Sequence, residues 1–203
     1  MFQNLCNTIE NVSKISVSKE RQETLNGLVN YVQNKVNTNE DIRLNFICTH
    51  NSRRSHLSQI WAQTMAFYFN IKNVFCYSCG TEATAMFPKV GKILANQGFE
   101  IQQLSTSDNP VYAIKYSENE APIIAFSKTY FDVFNPKSNF GAIITCNNAD
   151  QGCPMVFGAE ARFSIKYDDP KAFDGTNLMN EKYTEKSLQI ASEMYFVFSQ
   201  IKN

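Results

Sequence analysis

The sequence has no excess of charge of either sign: nineteen lysines and arginines meet nineteen aspartates and glutamates over 203 residues. A balanced chain raises no global field, which excludes nucleic acid and an anionic membrane surface as expected partners. Any anion the protein binds therefore needs a local site. Long apolar runs are also missing, and no stretch approaches the length that spans a bilayer. The opening MFQNLCNTIENV has neither the basic flank nor the continuous apolar stretch of a secretory signal, so the expected location is cytoplasmic. Internal repeats, low-complexity tracts and an obvious linker are absent too. A single globular domain is the expectation.

What the chain does have is core material. Hydrophobic residues make up 43% of it and aromatics 13%, led by 16 Phe and 9 Tyr, which argues against disorder. After Ser18, a capping residue with Glu20 in the first turn, Leu25, Leu28, Val29, Val32 and Val36 form the stripe of an amphipathic helix. Residues 1–41 are thus expected to be an N-terminal helical extension packed on a main domain of residues 42–203.

In that domain the period changes. Ile42 to Cys48 predicts a short buried strand, followed by a polar loop and a helix carrying Leu57, Trp61, Met65 and Tyr68 on one face. Val74 to Ser78 predicts a second strand, and Pro88 opens a helix that stops at Gly98. Further strands are expected at 141–146 and 162–167, with a last helix from Thr184 to Ile201. Strands alternating with helices predict an α/β fold around a central parallel sheet flanked by helices. Residues 109–126 break this rhythm: two β-rich runs flank the turn SENE, predicting an inserted β-hairpin.

Six cysteines, at 6, 48, 76, 79, 146 and 153, are too few and too scattered for a disulfide framework in an intracellular chain. Metal binding, redox chemistry and nucleophilic catalysis come under consideration instead. Cys6 falls on the N-terminal helix, where packing is the plain expectation. Cys48 ends a strand and begins CTHNSRRS, with Arg54 near the start of the next helix. In a strand–loop–helix of this kind, backbone N–H groups and the helix dipole make a nest for a tetrahedral oxyanion. The same groups favour a thiolate, the nucleophilic form of Cys48. Arg54 offers a planar fork for two oxygens, Ser55 a hydrogen bond to the sulfur, and Asn51 a tie from the loop to itself. Thr49, His50, Asn51, Ser52, Arg53 and Ser55 complete the expected substrate-binding loop. C-x5-R alone is a weak pattern; the preceding strand, the following helix and the adjacent serine strengthen it.

These residues resemble the C-x5-R-S loop of the low-molecular-weight protein tyrosine phosphatase superfamily, and more closely the C-T-G-N-S-x-R-S loop of its thioredoxin-coupled arsenate reductase branch. The resemblance covers roughly 42–102 and 140–200 and implies a four-stranded parallel sheet. His50 departs from the pattern, standing where the reductase loop has glycine; a positive φ at that position would strain it. The resemblance also implies that Asp169, which precedes Pro170, is the general acid. The stretch CNNADQGCP is similar to the branch's C-x6-C-P segment and implies that Cys146 and Cys153 relay oxidation away from Cys48. The aromatic pair that commonly follows Asp-Pro in the phosphatases is replaced by Lys171 and Ala172.

On this resemblance the expected activity is arsenate reduction, with arsenate or a phosphate ester as oxyanion substrate, a thioredoxin-like protein as reductant and no cofactor. The alternatives are phosphomonoester hydrolysis through a Cys48 phosphoenzyme, and a non-catalytic oxyanion or redox sensor. Cys76 and Cys79 form a C-x2-C pair, and Ser78-x-Gly80 resembles a turn near the family's anion loop. They are an auxiliary dithiol, incidental thiols, or half of a zinc site with Cys146 and Cys153. Against zinc, C-x6-C is long for a metal knuckle and metal ligation would block the relay. No metal is expected.

Overall fold

A computed structural model describes residues 1–152 and 156–202. Two helices lead, α1 (Gln3–Val12) and α2 (Lys19–Asn37), the second capped by Ser18, whose hydroxyl accepts from the N–H of Arg21. Strand β1 (Ile42–Cys48) is buried except at Arg43, and α3 (Arg54–Tyr68) follows the loop. Then come β2 (Val74–Gly80) and α4 (Pro88–Asn96). Gly98 stops α4 with a φ of 101°, and a Cβ there would meet the backbone of Leu5 on α1. Only glycine satisfies both the turn and the close approach.

A small antiparallel sheet follows, of β3 (Glu100–Gln103), β4 (Tyr112–Lys115) and β5 (Ile123–Ala125) in that order. The expected hairpin is present as β4 and β5, but β3 pairs with it as well, from Glu100 opposite Lys115 to Gln103 opposite Tyr112. With one apolar residue in EIQQ, β3 carries no alternation to betray it. The chain returns to the main sheet with β6 (Phe140–Ile144), the short helix α5 (Asn147–Gly152) and β7 (Ala159–Ser164). A 3₁₀ turn (Pro170–Phe173) precedes α6 (Met179–Ser199), which starts five residues before the stripe of Leu188, Ala191, Met194, Tyr195 and Phe198 suggested.

The main sheet is parallel throughout, in the order β2-β1-β6-β7. Its two faces are unlike. Leu44, Phe46, Cys76 and Ile143 face a large core built from α1, α2, α3, α4, α6 and the small sheet. Ile47, Cys79, Ala142 and Ile144 face a thin layer holding Ala149 of α5, Val156 and Tyr130. The N-terminal helices pack on the thick side: Leu25, Leu28 and Val32 are buried, and Tyr31 of α2 meets Phe163 of β7 edge-on at 5.7 Å. Among the described residues no helix is long and apolar enough to cross a membrane.

Candidate active site

The C-terminal ends of β1, β2 and β6 bring together the residues that carry chemistry. Cys48 is the last residue of β1, Arg54 the first of α3, and residues 49–53 form the loop between them. The loop carbonyls are engaged from outside. Those of Cys48, Thr49 and Ser52 accept from the N–H groups of Thr81, Glu82 and Phe87. The His50 carbonyl accepts from the hydroxyls of Thr84 and Ser127. The backbone N–H groups of residues 49–53, by contrast, meet no acceptor among the described residues. Asn51 and Ser52 are buried, and buried amides are almost always paired, so this run of unpaired ones is a nest whose chemistry suits an anion.

Gly80, beside Cys48 in the β1–β2 register, lets this loop close down. A Cβ there would stand 2.5 Å from the Thr49 carbonyl oxygen and 2.8 Å from the Asn51 nitrogen. The left-handed turn the loop needs falls on Asn51, with φ of 44°, and not on His50. Asparagine tolerates that region better than most residues, so histidine in the glycine position carries no such strain. His50 lies at the mouth, its Nε2 3.5 Å from Glu82.

A directed chain of hydrogen bonds ends at Cys48. The Lys128 backbone N–H donates to Asn51 Oδ1 at 2.9 Å, which fixes the amide, and Asn51 Nδ2 donates to Ser55 Oγ at 2.8 Å. The single Ser55 proton is then free for Cys48 Sγ, 3.1 Å away. All four residues in this chain are buried: Asn51 and Ser55 completely, Cys48 at 3% and Lys128 at 1% exposure. Asn51 and Ser55 thus shape the loop from behind, and the expected substrate contacts reduce to their backbone.

A second network supports the first. Gln59 Nε2 donates to the carbonyls of Cys76 and Ile124, so its Oε1 accepts the Ser78 hydroxyl proton at 2.6 Å. Ser78 then accepts from His56 Nδ1 at 3.2 Å, which assigns the neutral tautomer with its proton on Nδ1. Burial, with the Lys128 charge nearby, pushes the His56 pKa down to about 3. Burial likewise pushes the Lys128 ammonium down to about 8, and it stacks on Phe126 at 4.4 Å and Phe134 at 5.2 Å.

His56 and Lys128 carry no motif signal in the sequence. His56 is hidden in a helix signal, and Lys128 is 77 residues from the loop on the segment leaving the inserted sheet.

The two arginines have different employment. Arg54 directs Nη1 to the Tyr167 carbonyl at 2.9 Å and Nη2 to Asp169 Oδ2 at 2.6 Å, so the expected fork and the expected acid are brought together. Asp169 Oδ1 accepts from Lys171 N–H and caps the 3₁₀ turn. Arg53 turns away: it donates to Tyr183 Oη and Asp174 Oδ2 and lies over the Phe87 ring at 4.2 Å. Its side chain pins the loop to α6, and only its backbone faces the nest.

Cys146 follows β6 and caps α5, with its Sγ 3.4 Å from both Thr49 Oγ1 and the Ala149 N–H. It is 2% exposed and shares the thin-side cluster with Cys48 and Cys79. Cys153 lies outside the described residues. Cys76 and Cys79 are three apart on a strand, and they pack in opposite clusters. They form neither a dithiol nor a metal knuckle, because strand side chains alternate faces. Among the described residues no group of three or more metal-ligating side chains occurs.

No family model and no curated protein matches the sequence. Solved structures do. A low-molecular-weight phosphotyrosine phosphatase of Vibrio cholerae matches at a TM-score of 0.52 and 14% identity, covering 78% of this chain and 94% of that one. A mutant of Bacillus subtilis YwlE matches at 0.53 and 14%, covering 79% and 98%. An arsenate reductase in the phosphate-binding state matches at 0.45 and 17%, covering 79% and 99%. The fold is that of the low-molecular-weight phosphatases. The first two of these structures are matched almost completely, while about a fifth of this chain lies outside each match.

Proposed function

We propose that the protein is a thiol-dependent arsenate reductase. The observation that supports this reading is the position of Cys146: its sulfur lies at the loop, 3.4 Å from the hydroxyl of the residue after Cys48. Arsenate sits on the loop N–H groups and the Arg54 fork. The Cys48 thiolate attacks arsenic while Asp169 protonates the departing oxygen, which leaves as water. The Cys146 thiolate then attacks Cys48 Sγ; the S–As bond breaks and its electron pair goes to arsenic, releasing arsenite and a Cys48–Cys146 disulfide. Cys153 takes the resolving role that the resemblance implies, freeing Cys48 and leaving a disulfide for an external dithiol of the thioredoxin type.

The test is arsenate-dependent oxidation of a thioredoxin system by wild-type protein, Cys146→Ser and Cys153→Ser, with aryl phosphate cleavage followed in parallel. Turnover of reductant that vanishes in both variants while ester cleavage persists supports the relay. Ester cleavage with no arsenate-linked consumption by the wild type sinks it.

That second outcome is the signature of the alternative, phosphomonoester hydrolysis with water attacking a Cys48 phosphoenzyme. The contact between Asp169 and Arg54 serves both readings, and nucleophile, anion clamp and acid suffice for this second one without Cys146. A non-catalytic oxyanion or redox sensor would bind the anion and turn over neither substrate.

A further inference from the structure

Asp169 stands on a segment of irregular backbone between β7 and the 3₁₀ turn, and that segment is held from several sides. The N–H of Tyr167 donates to the Thr145 carbonyl at 3.1 Å, prolonging the sheet beyond β7. The Tyr167 carbonyl accepts from Arg54. The remaining hold comes from α2, in the N-terminal extension. Arg21 Nη2 donates to the Lys166 carbonyl at 3.1 Å and to Glu193 Oε2 at 2.8 Å, and its guanidinium lies 5.0 Å from the centre of the Tyr167 ring.

We propose that Arg21 is a positioning residue for Asp169, through which the N-terminal extension sets the geometry of the acid. The inference rests on the reading of Asp169 as the acid of the Cys48 reaction. Arg21 is itself well anchored, in the first turn of α2, with its N–H capped by Ser18. Glu193, whose side chain is 3% exposed, is held in turn by Gln189, and Gln189 accepts from Lys186.

A plain structural ion pair would need only Glu193. Arg21 makes a second bond, to the Lys166 carbonyl, and sets its guanidinium over the ring of Tyr167, the residue whose own carbonyl accepts from Arg54. A lysine ammonium could donate both bonds, which leave from the one atom Nη2, but it would not keep a guanidinium over the Tyr167 ring. The outcome is a continuous path from α2 through residues 166 and 167 to both the clamp and, two residues later, the acid.

Misplacing the acid has a signature that general loosening lacks. A good leaving group departs without a proton and a poor one needs it, so only the poor one slows when the acid moves. The first displacement is common to arsenate and phosphate esters, so aryl phosphates report on Asp169 under either reading of the function.

The experiment compares kcat/KM for phenyl phosphate and 4-nitrophenyl phosphate in wild type, Asp169→Asn, Arg21→Lys and the double variant Arg21→Met/Glu193→Gln. The double variant avoids leaving Glu193 as an unpaired buried carboxylate. The expected result is a loss for phenyl phosphate about tenfold larger than for the nitrophenyl ester in the double variant, and an intermediate loss in Arg21→Lys. Equal losses on both esters, or none, overturn the inference. An Asp169→Asn variant insensitive to the leaving group, or a wild type that cleaves neither ester, overturns the acid assignment beneath it.

Discussion

Asp169 Oδ2 lies 2.6 Å from Arg54 Nη2, so the carboxylate that would protonate a leaving oxygen and the cation that would clamp the oxyanion are each other's partner. An oxyanion reaching for Arg54 would compete with that carboxylate. Its arrival would both remove a like charge from the clamp and free Asp169 to face the leaving group.

Removing the competitor has opposite effects on binding and turnover. Asp169→Ala is expected to bind inorganic phosphate up to about tenfold more tightly, the worth of one charge-assisted hydrogen bond. The same variant loses roughly 10²- to 10⁴-fold in turnover. Calorimetry of phosphate binding beside an ester assay separates the two effects. Unchanged or weaker phosphate binding would show that the anion does not displace Asp169.

Asn51 combines a left-handed backbone with two side-chain bonds, and two substitutions divide these roles. Asn51→Gly keeps the turn and loses the amide that orients Ser55; Asn51→Ala loses both and adds roughly 1–2 kcal/mol of backbone strain. Both variants are expected to slow the Cys48 step, and urea unfolding should place Asn51→Ala below Asn51→Gly in stability. The reverse order would mean that the φ of 44° is not what selects asparagine here.

Gly80→Ala tests the close approach of loop and strand. The added methyl overlaps the Glu82 and Thr49 carbonyls and the Asn51 nitrogen, all backbone atoms that cannot swing aside. Oxyanion binding is expected to be lost while far-UV circular dichroism stays that of the wild type. Intact binding would mean that the loop has room to shift.

His56 makes stability depend on pH. Its folded pKa, about 3, lies below the ordinary value of 6.5, so the unfolded chain takes up a proton that the folded protein refuses. This contribution is complete above pH 6.5 and is lost as pH falls toward 3, at about 1.4 kcal/mol per unit. Unfolding free energies at pH 7 and pH 5 should differ by about 2 kcal/mol more in wild type than in His56→Gln. Equal differences would place the pH dependence elsewhere.

Much of the fold was legible from period and punctuation. Ile42 to Cys48 and residues 141–144 are near-continuous apolar runs, as strands buried on both faces must be, and Pro88 and Gly98 bracket α4. Strand β3 was not legible, because a short, largely exposed strand is defined by its partner's backbone and not by its own side chains. In the site, Cys48, Arg54 and Asp169 were legible through a motif and a resemblance. Lys128 was not, since it acts through a backbone N–H that any residue possesses. The different fates of Arg53 and Arg54 were equally hidden: adjacent on the chain, they part because helix geometry turns one toward Asp174 and the other toward Asp169.

The unequal covering of the sheet gives the thiols unequal lifetimes against a trapping reagent. Cys76 lies on the edge strand β2 among the thick-side core residues, and burial pushes its thiol pKa up, which holds it in the protonated, slow-reacting form. Cys146 and Cys79 lie beneath a six-residue helix and a few side chains, a layer that local fluctuations lift at a cost below that of global unfolding. Under native conditions the alkylation clock of this protein should run in two tempos, fast on one side of its sheet and slow on the other.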